Sequence, residues 1–309
     1  MNARYCHVLV GFLALAAFAI PRPGIAREGD GEEVEMKDNS FLVEEAYNQE
    51  KGICQHIFNW MPSWDVDHGI RRRSSDFLFS QEWALFSQKH QVSYSIPILR
   101  FTDQVPGGPI FESEGVGDIM LNYRYQLLGG SGQELSCSPR FSLILPSGDE
   151  NQGLGTGQVG YQINLPVSKE TDHWCFHFNA GATHVPGVTA GVDPQWELPG
   201  QPLTGYNLGG SIIYKVKPVC HVLLETVAYW DEELTSEGQK NQALQVQVSP
   251  GVRWAPFTKN DTQWVLGVAA PIGVTRDAPD FSLFFYLSLE HPFIIAPRAE
   301  RNGATNGEG

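Results

Sequence analysis

Between Gly115 and Gly148 the side chains alternate in polarity at every second residue. Ile119, Leu121, Tyr123, Tyr125 and Leu127 fall on one face, and Asp118, Asn122, Arg124 and Gln126 on the other, with Met120 breaking the pattern. Further on, Cys137, Pro139, Phe141, Leu143 and Leu145 oppose Ser136, Ser138, Arg140 and Ser142. A period of two predicts strands with one apolar and one polar face. Between them, Gly129-Gly130-Ser131-Gly132 tolerates positive φ and predicts a hairpin turn.

The same rhythm recurs along the chain. Strands are predicted over Ile53–Met61, Asp76–Phe86, Lys89–Phe101, Gly115–Leu128, Leu135–Leu145 and Gly157–Val167. Six more follow over Trp174–Thr183, Thr204–Val216, Val219–Trp230, Asn241–Trp254, Thr262–Gly273 and Phe281–Pro292. In Asn241–Trp254, for example, Leu244, Val246, Val248 and Val252 oppose Gln245, Gln247, Ser249 and Arg253. Lys89–Phe101 and Thr262–Gly273 are apolar on both faces, so part of any lumen would be greasy.

A soluble sandwich and a membrane barrel both alternate in this way; the connections separate them. Pro62–Ser75, Thr102–Glu114, Pro146–Thr156, Val185–Leu203 and Asp231–Lys240 are long, and the links between them are mostly short. Long loops gathered at one end are the mark of a membrane barrel, with short periplasmic turns and long outer loops. Trp60, Trp83, Trp174, Trp230, Trp254 and Trp264 lie near strand ends, as interfacial girdles require. The expected fold is therefore all-β, an antiparallel transmembrane β-barrel of about twelve strands in the outer membrane.

Residues 1–26 read as a signal peptide, with Arg4 before an apolar Val8–Ile20 and small residues at Gly24-Ile25-Ala26. Residues 27–51 read as a periplasmic leader or plug, in which Phe41–Gln49 is either a short helix or an extended segment. The barrel is expected over residues 52–293 and a disordered periplasmic tail over 294–309.

Formal net charge is −14, and without Arg4 and Arg22 it is about −16, which argues against a nucleic-acid-binding surface. Cys54, Cys137, Cys175 and Cys220 all fall in predicted strands without a CxxC spacing and are read as small apolar side chains. The Gly-rich Gly148–Gly160 lacks the GK[ST] of a phosphate loop and is read as an outer loop. Trp64–His68 is read as a solvated loop rather than a metal site. Neither a metal nor a cofactor is expected.

Several phrases resemble a known family of outer-membrane transporters, grouped under the name MetA-pathway of phenol degradation. They are Glu44–Glu50 followed by Gln55-His56-Ile57, then Gly115-Val116-Gly117-Asp118, and Leu145–Gly148 with Gly153–Gly157. The resemblance spans nearly the whole mature chain and marks turns rather than chemistry. It implies passage or binding of small, often hydrophobic or aromatic compounds.

The candidate lumen and selectivity residues are Glu82, Asp118, Arg124, Arg140, Glu225, Gln245, Gln247, Arg253 and Glu290. Opposed charges inside a narrow barrel make a constriction that selects by charge; the alternative is that they brace a filled wall. The expected function is a passive channel or transporter, not an enzyme. Its partners would be a small-molecule solute, outer-membrane lipid and lipopolysaccharide, and the barrel-assembly machinery, with no nucleic acid. Other readings are a closed structural or surface-interaction barrel, a secreted soluble β-protein, and a lipid-modifying enzyme. His177 and His221, both predicted inward, have no convincing outward Ser partner for the last of these.

Overall fold

The computed structural model describes residue 36 and residues 40–67, 69–130, 135–189, 199–259 and 261–293. The expected signal peptide and tail, and part of the turn after Gly130, lie outside the described residues. One antiparallel sheet closes on itself. Its segments are β1 (Ile53–Asp67), β2 (Ile70–Ala84), β3 (His90–Gln104), β4 (Ile110–Val116), β5 (Ile119–Tyr125), β6 (Leu135–Cys137), β7 (Arg140–Leu145) and β8 (Gly160–Glu170). They continue as β9 (Trp174–Val188), β10 (Gln201–Lys217), β11 (Cys220–Leu234), β12 (Lys240–Lys259), β13 (Thr262–Ala269), β14 (Ile272–Gly273), β15 (Phe281–Ser282) and β16 (Phe284–Pro292).

Four wall strands are each interrupted once: β4/β5 at Gly117-Asp118, β6/β7 at Ser138-Pro139, β13/β14 at Ala270-Pro271 and β15/β16 at Leu283. Pro139 and Pro271 have no N–H to give the ladder, which breaks there. Joined across these breaks, the segments make a barrel of twelve wall strands. Each follows its sequence neighbour round the wall, and β1 pairs with β16 to close it.

The outward face is apolar. Ile163, Leu165, Phe176, Ile212, Val222, Leu224 and Leu266 are all exposed on it. Trp174, Trp254 and Trp264 mark the short-turn end, and Trp230 and Trp64 stand toward the other. From Cys220 to Trp230 the chain advances ten residues. At ~3.4 Å per residue and a tilt of ~40° that is about 25 Å, the height of an outer-membrane apolar band.

Many strands are longer than the membrane needs. β10 has 17 residues and β12 has 20. The expected long loop Pro62–Ser75 is instead a continuation of the β1–β2 ladder, paired as far as Asp67↔Ile70. Trp64–Asp67, read above as loop, is likewise strand. On its β2 side Arg71, Arg72 and Arg73 show no apolar face because both sides of a strand above the membrane meet water, while Trp64 and Val66 still alternate with Ser63 and Asp65 on β1. Alternation reports two different solvents, and it vanishes where there is only one.

These heights make a paired expectation. Leu224→Arg places a cation on the lipid-facing wall near midplane, at a cost of about 2–4 kcal/mol, and should weaken the compact, heat-modifiable gel band after refolding. Val66→Arg, on the aqueous overhang, should leave that band unchanged.

Candidate functional site

Inside the barrel lies a piece of the chain itself. Residues 40–50 run without regular secondary structure through the lumen, and Ser40, Phe41, Val43, Glu45, Ala46 and Asn48 are buried there. Of the two forms expected for Phe41–Gln49, the helix is absent and the segment is an irregular plug. Each of its backbone groups needs a partner, because it sits where water is displaced. Those partners are side chains projecting inward from the wall.

The fully buried Glu225 carboxylate accepts the backbone N–H groups of Phe41, Leu42 and Val43 at 3.1–3.2 Å. Asn179 brackets Glu44, accepting its N–H and donating to its carbonyl. Ser168 accepts the Ala46 N–H at 2.8 Å, and Ser138 and Gln126 donate to the Ala46 carbonyl at 2.9 and 2.8 Å. Gln126 and Gln91 accept the N–H groups of Asn48 and Gln49 at 3.0 and 2.7 Å. Arg124 donates to the carbonyls of Glu45 and Tyr47 at 2.9 and 2.8 Å.

One plug side chain joins the wall charges. The Glu44 carboxylate accepts from Arg124 Nη1 at 3.1 Å, Arg140 Nε at 2.9 Å and Asn164 Nδ2 at 2.7 Å. Arg124 also lies 3.6 Å from Glu82, and Arg140 reaches Asn122 and Gln162. Burial opposes ionisation of Glu44, but Arg140, Arg124 and the two hydrogen bonds outweigh it and hold its carboxyl below 4.5.

An apolar contact completes the anchorage. The Phe41 ring packs 5.4 Å from Phe284 and 5.2 Å from Tyr286. Gly251 and Gly267 make room, since a Cβ at Gly267 would overlap that ring. With Val265 and Ala269 these residues form the greasy part of the lumen expected from Thr262–Gly273. On Lys89–Phe101 the inward positions below Pro97 are Gln91, Ser93 and Ser95, so its membrane-level lumen face is polar.

The other candidates disperse. Glu290 touches the plug through Gln49 Nε2 at 3.4 Å. Arg253 hydrogen-bonds His221 at 3.3 Å, and Gln247 is buried on β12. Gln245 lines an upper cavity of about 250 Å³ with Asp65, Arg72, Glu233, Arg276 and Asp277. Asp118 is not with the other charges. It occupies the β4/β5 break and accepts from Gly148 N and from Thr156 N and Oγ1, which ties down the Pro146–Thr156 loop. Its place after Gly117 makes it a loop clamp, although alternation alone put it on the lumen face.

The hydrogen-bonding partners of the plug, from Gln91 to Glu225, lie in the half of the wall nearer the short turns, while Phe41 packs higher, against Phe284 and Gly251. Sequence reading named Arg124, Arg140 and Glu225 but missed Glu44, Asn164, Asn179, Gln126 and Ser168. The unmatched acid in the Glu44–Glu50 phrase was the available signal. His177 does meet Ser168, at 2.7 Å, but in the lumen, where that hydroxyl serves the plug.

The wall closes from first strand to last, with a largely polar interior and an apolar outside. The fold is that of an outer-membrane β-barrel. An outer membrane channel from Pseudomonas putida F1 superposes with a TM-score of 0.62 at 13% identity, covering 85% of this chain and 100% of the channel. The transport unit of the autotransporter AIDA-I from Escherichia coli gives 0.53 at 10% identity, covering 82% of this chain and 95% of that one. No protein-family model and no curated protein sequence matches the chain.

The Glu44 cluster predicts an acid response. A carboxyl held below its usual value stabilises docking fully above pH 4.5, and loses that contribution as the pH falls through the docked value. Conductance of the wild-type barrel should rise as the pH is taken from neutrality to well below 4.5. Glu44→Gln should conduct strongly at both. A wild-type conductance that stays flat or falls on acidification would contradict this role for Glu44.

Proposed function

We propose that this chain is an outer-membrane channel for passive uptake of small molecules, closed by its own residues 40–50 and opened when they withdraw. One observation carries the reading: the plug is held by side-chain arms reaching off the wall. Releasing it leaves the backbone ladder of the barrel in place, so opening does not require the barrel to unfold. Hydrogen bonds to charged groups contribute about 1.5–3 kcal/mol each, and every 1.4 kcal/mol is tenfold in an equilibrium constant. Losing a few of them is enough to move such a gate.

The apolar patch favours a class of solute. Phe41 occupies a slot among Phe284, Tyr286, Gly251 and Gly267. Once Phe41 leaves, an aromatic or hydrophobic ring fits the same surface. This agrees with the small aromatic compounds implied by the resemblance to the MetA-pathway transporters. Wall charges freed by the plug, above all Arg124 and Arg140, would then set charge preference.

A second reading rests on the density of the plug's bonds: the barrel stays closed and serves as a wall or surface element. Planar-bilayer recording separates the two. The gated reading expects rare openings in wild type, a rise of at least ~10-fold in open time for Glu225→Ala, and a shift in ion selectivity when Arg124 or Arg140 is neutralised in that background. A wild-type barrel that never opens, in bilayers or in liposome swelling with small aromatic solutes, would favour the closed wall.

A further inference from the structure

Where β1 meets β16 at the short-turn end, the outward face departs from its apolar pattern. Phe58, Trp60, Phe285, Leu287 and Leu289 give way to Cys54, His56 and His291, with Gln81 beside them. Cys54 pairs directly with His291 in the ladder, and His56 lies two residues further along the same face. The Sγ and the two ring nitrogens fall within 4.8 Å of one another. His56 Nε2 and His291 Nε2 are 3.0 Å apart, and Cys54 Sγ is 3.9 Å from His56 Nε2.

We infer that Cys54, His56 and His291 form a zinc site that clips the first barrel strand to the last. Zn–N of ~2.05 Å and Zn–S of ~2.3 Å at tetrahedral angles require N···N of about 3.3 Å and S···N of about 3.5 Å. The two edges at His56 meet those values after shifts of a few tenths of an ångström, and the third, from Cys54 to His291, lies within 4.8 Å. The set of one thiolate and two imidazoles is a zinc-type set, with a fourth position for water.

The surrounding groups orient the donors as metal sites require. His291 Nδ1 lies 3.1 Å from the Pro292 carbonyl, and donating its proton there leaves Nε2 as the lone-pair nitrogen. Gln81 Nε2 donates to the Cys54 sulfur at 3.1 Å and is itself held by the Tyr94 hydroxyl at 2.6 Å. The His56 ring stacks on Phe79, with 11° between planes. On binding, the Cys54 thiol proton leaves to solvent and the His56 proton moves to Nδ1, so both donors present lone pairs and no electrons are exchanged.

The site also has a structural purpose. The seam of β1 with β15 and β16 joins the two ends of the barrel's chain. Fastening it near the membrane boundary would resist fraying from both ends. The site is independent of the gating proposed above, because it lies outside the wall.

The test uses the refolded mature chain in detergent, dialysed against ZnCl₂ and then against metal-free buffer. Elemental analysis should find one zinc per chain in wild type and in Cys220→Ser, and Cys54→Ser and His291→Gln should each retain less than a tenth of that. Gln81→Leu should weaken binding roughly 10-fold. Cobalt substitution gives a readout on folded wild-type protein alone: a thiolate-to-cobalt absorption band, lost in Cys54→Ser. No retained zinc and no such band in wild type would overturn the proposal. So would zinc retained equally by the Cys54 and His291 variants, or a site that takes up copper(I) but not zinc.

Discussion

The structure depends on one constraint: an irregular stretch of backbone inside a barrel must have each N–H and C=O satisfied by something other than water. Residues 40–50 meet it at most of their N–H groups, and at the carbonyls of Glu44 to Tyr47, through the wall's own side chains. Glu225 takes three consecutive N–H groups, and Arg124 takes two carbonyls and a carboxylate. The polar lumen face is thus used twice over. It faces away from lipid, which gives the strands their alternation, and it supplies the donors and acceptors that hold the plug.

The same economy explains the greasy interior of β13 and β16. A wholly polar lumen would have no slot for Phe41, and a wholly apolar one could not satisfy the chain beside it. Gly251 and Gly267 let an aromatic ring lie against the wall, while Glu225 on the next strand holds the backbone from which that ring projects. Apolar contact and charge-assisted bonding therefore act on adjacent atoms of the plug, which is why its position is so closely defined.

Much of the barrel was legible in the sequence because lipid and water write opposite residues on alternate positions. Leu244, Val246 and Val248 against Gln245, Gln247 and Ser249 define both faces of β12. The overhanging strands were not legible, since Arg71–Arg73 are charged on both faces and, with the turn beside them, read as loop. Nor could alternation separate Asp118, which caps a loop, from Arg124, which reaches the plug, since both occupy the same parity. The plug was only half legible. Its acidic phrase stood out, but partners up to 184 residues away, as between Phe41 and Glu225, leave no local trace.

The hairpins that outgrow the membrane give the molecule a chimney. β1, β2, β10 and β12 carry their ladders past the outer girdle, so the mouth is ringed by stiff, hydrogen-bonded ribbon instead of slack chain. Anything approaching from outside meets Asp65, Arg72, Glu233 and Asp277 on the inner side of that ring before it comes near Phe41 or Glu44. The charged rim of the mouth and the plug, which carries both buried charges and an aromatic slot, are thereby held at separate heights of one wall.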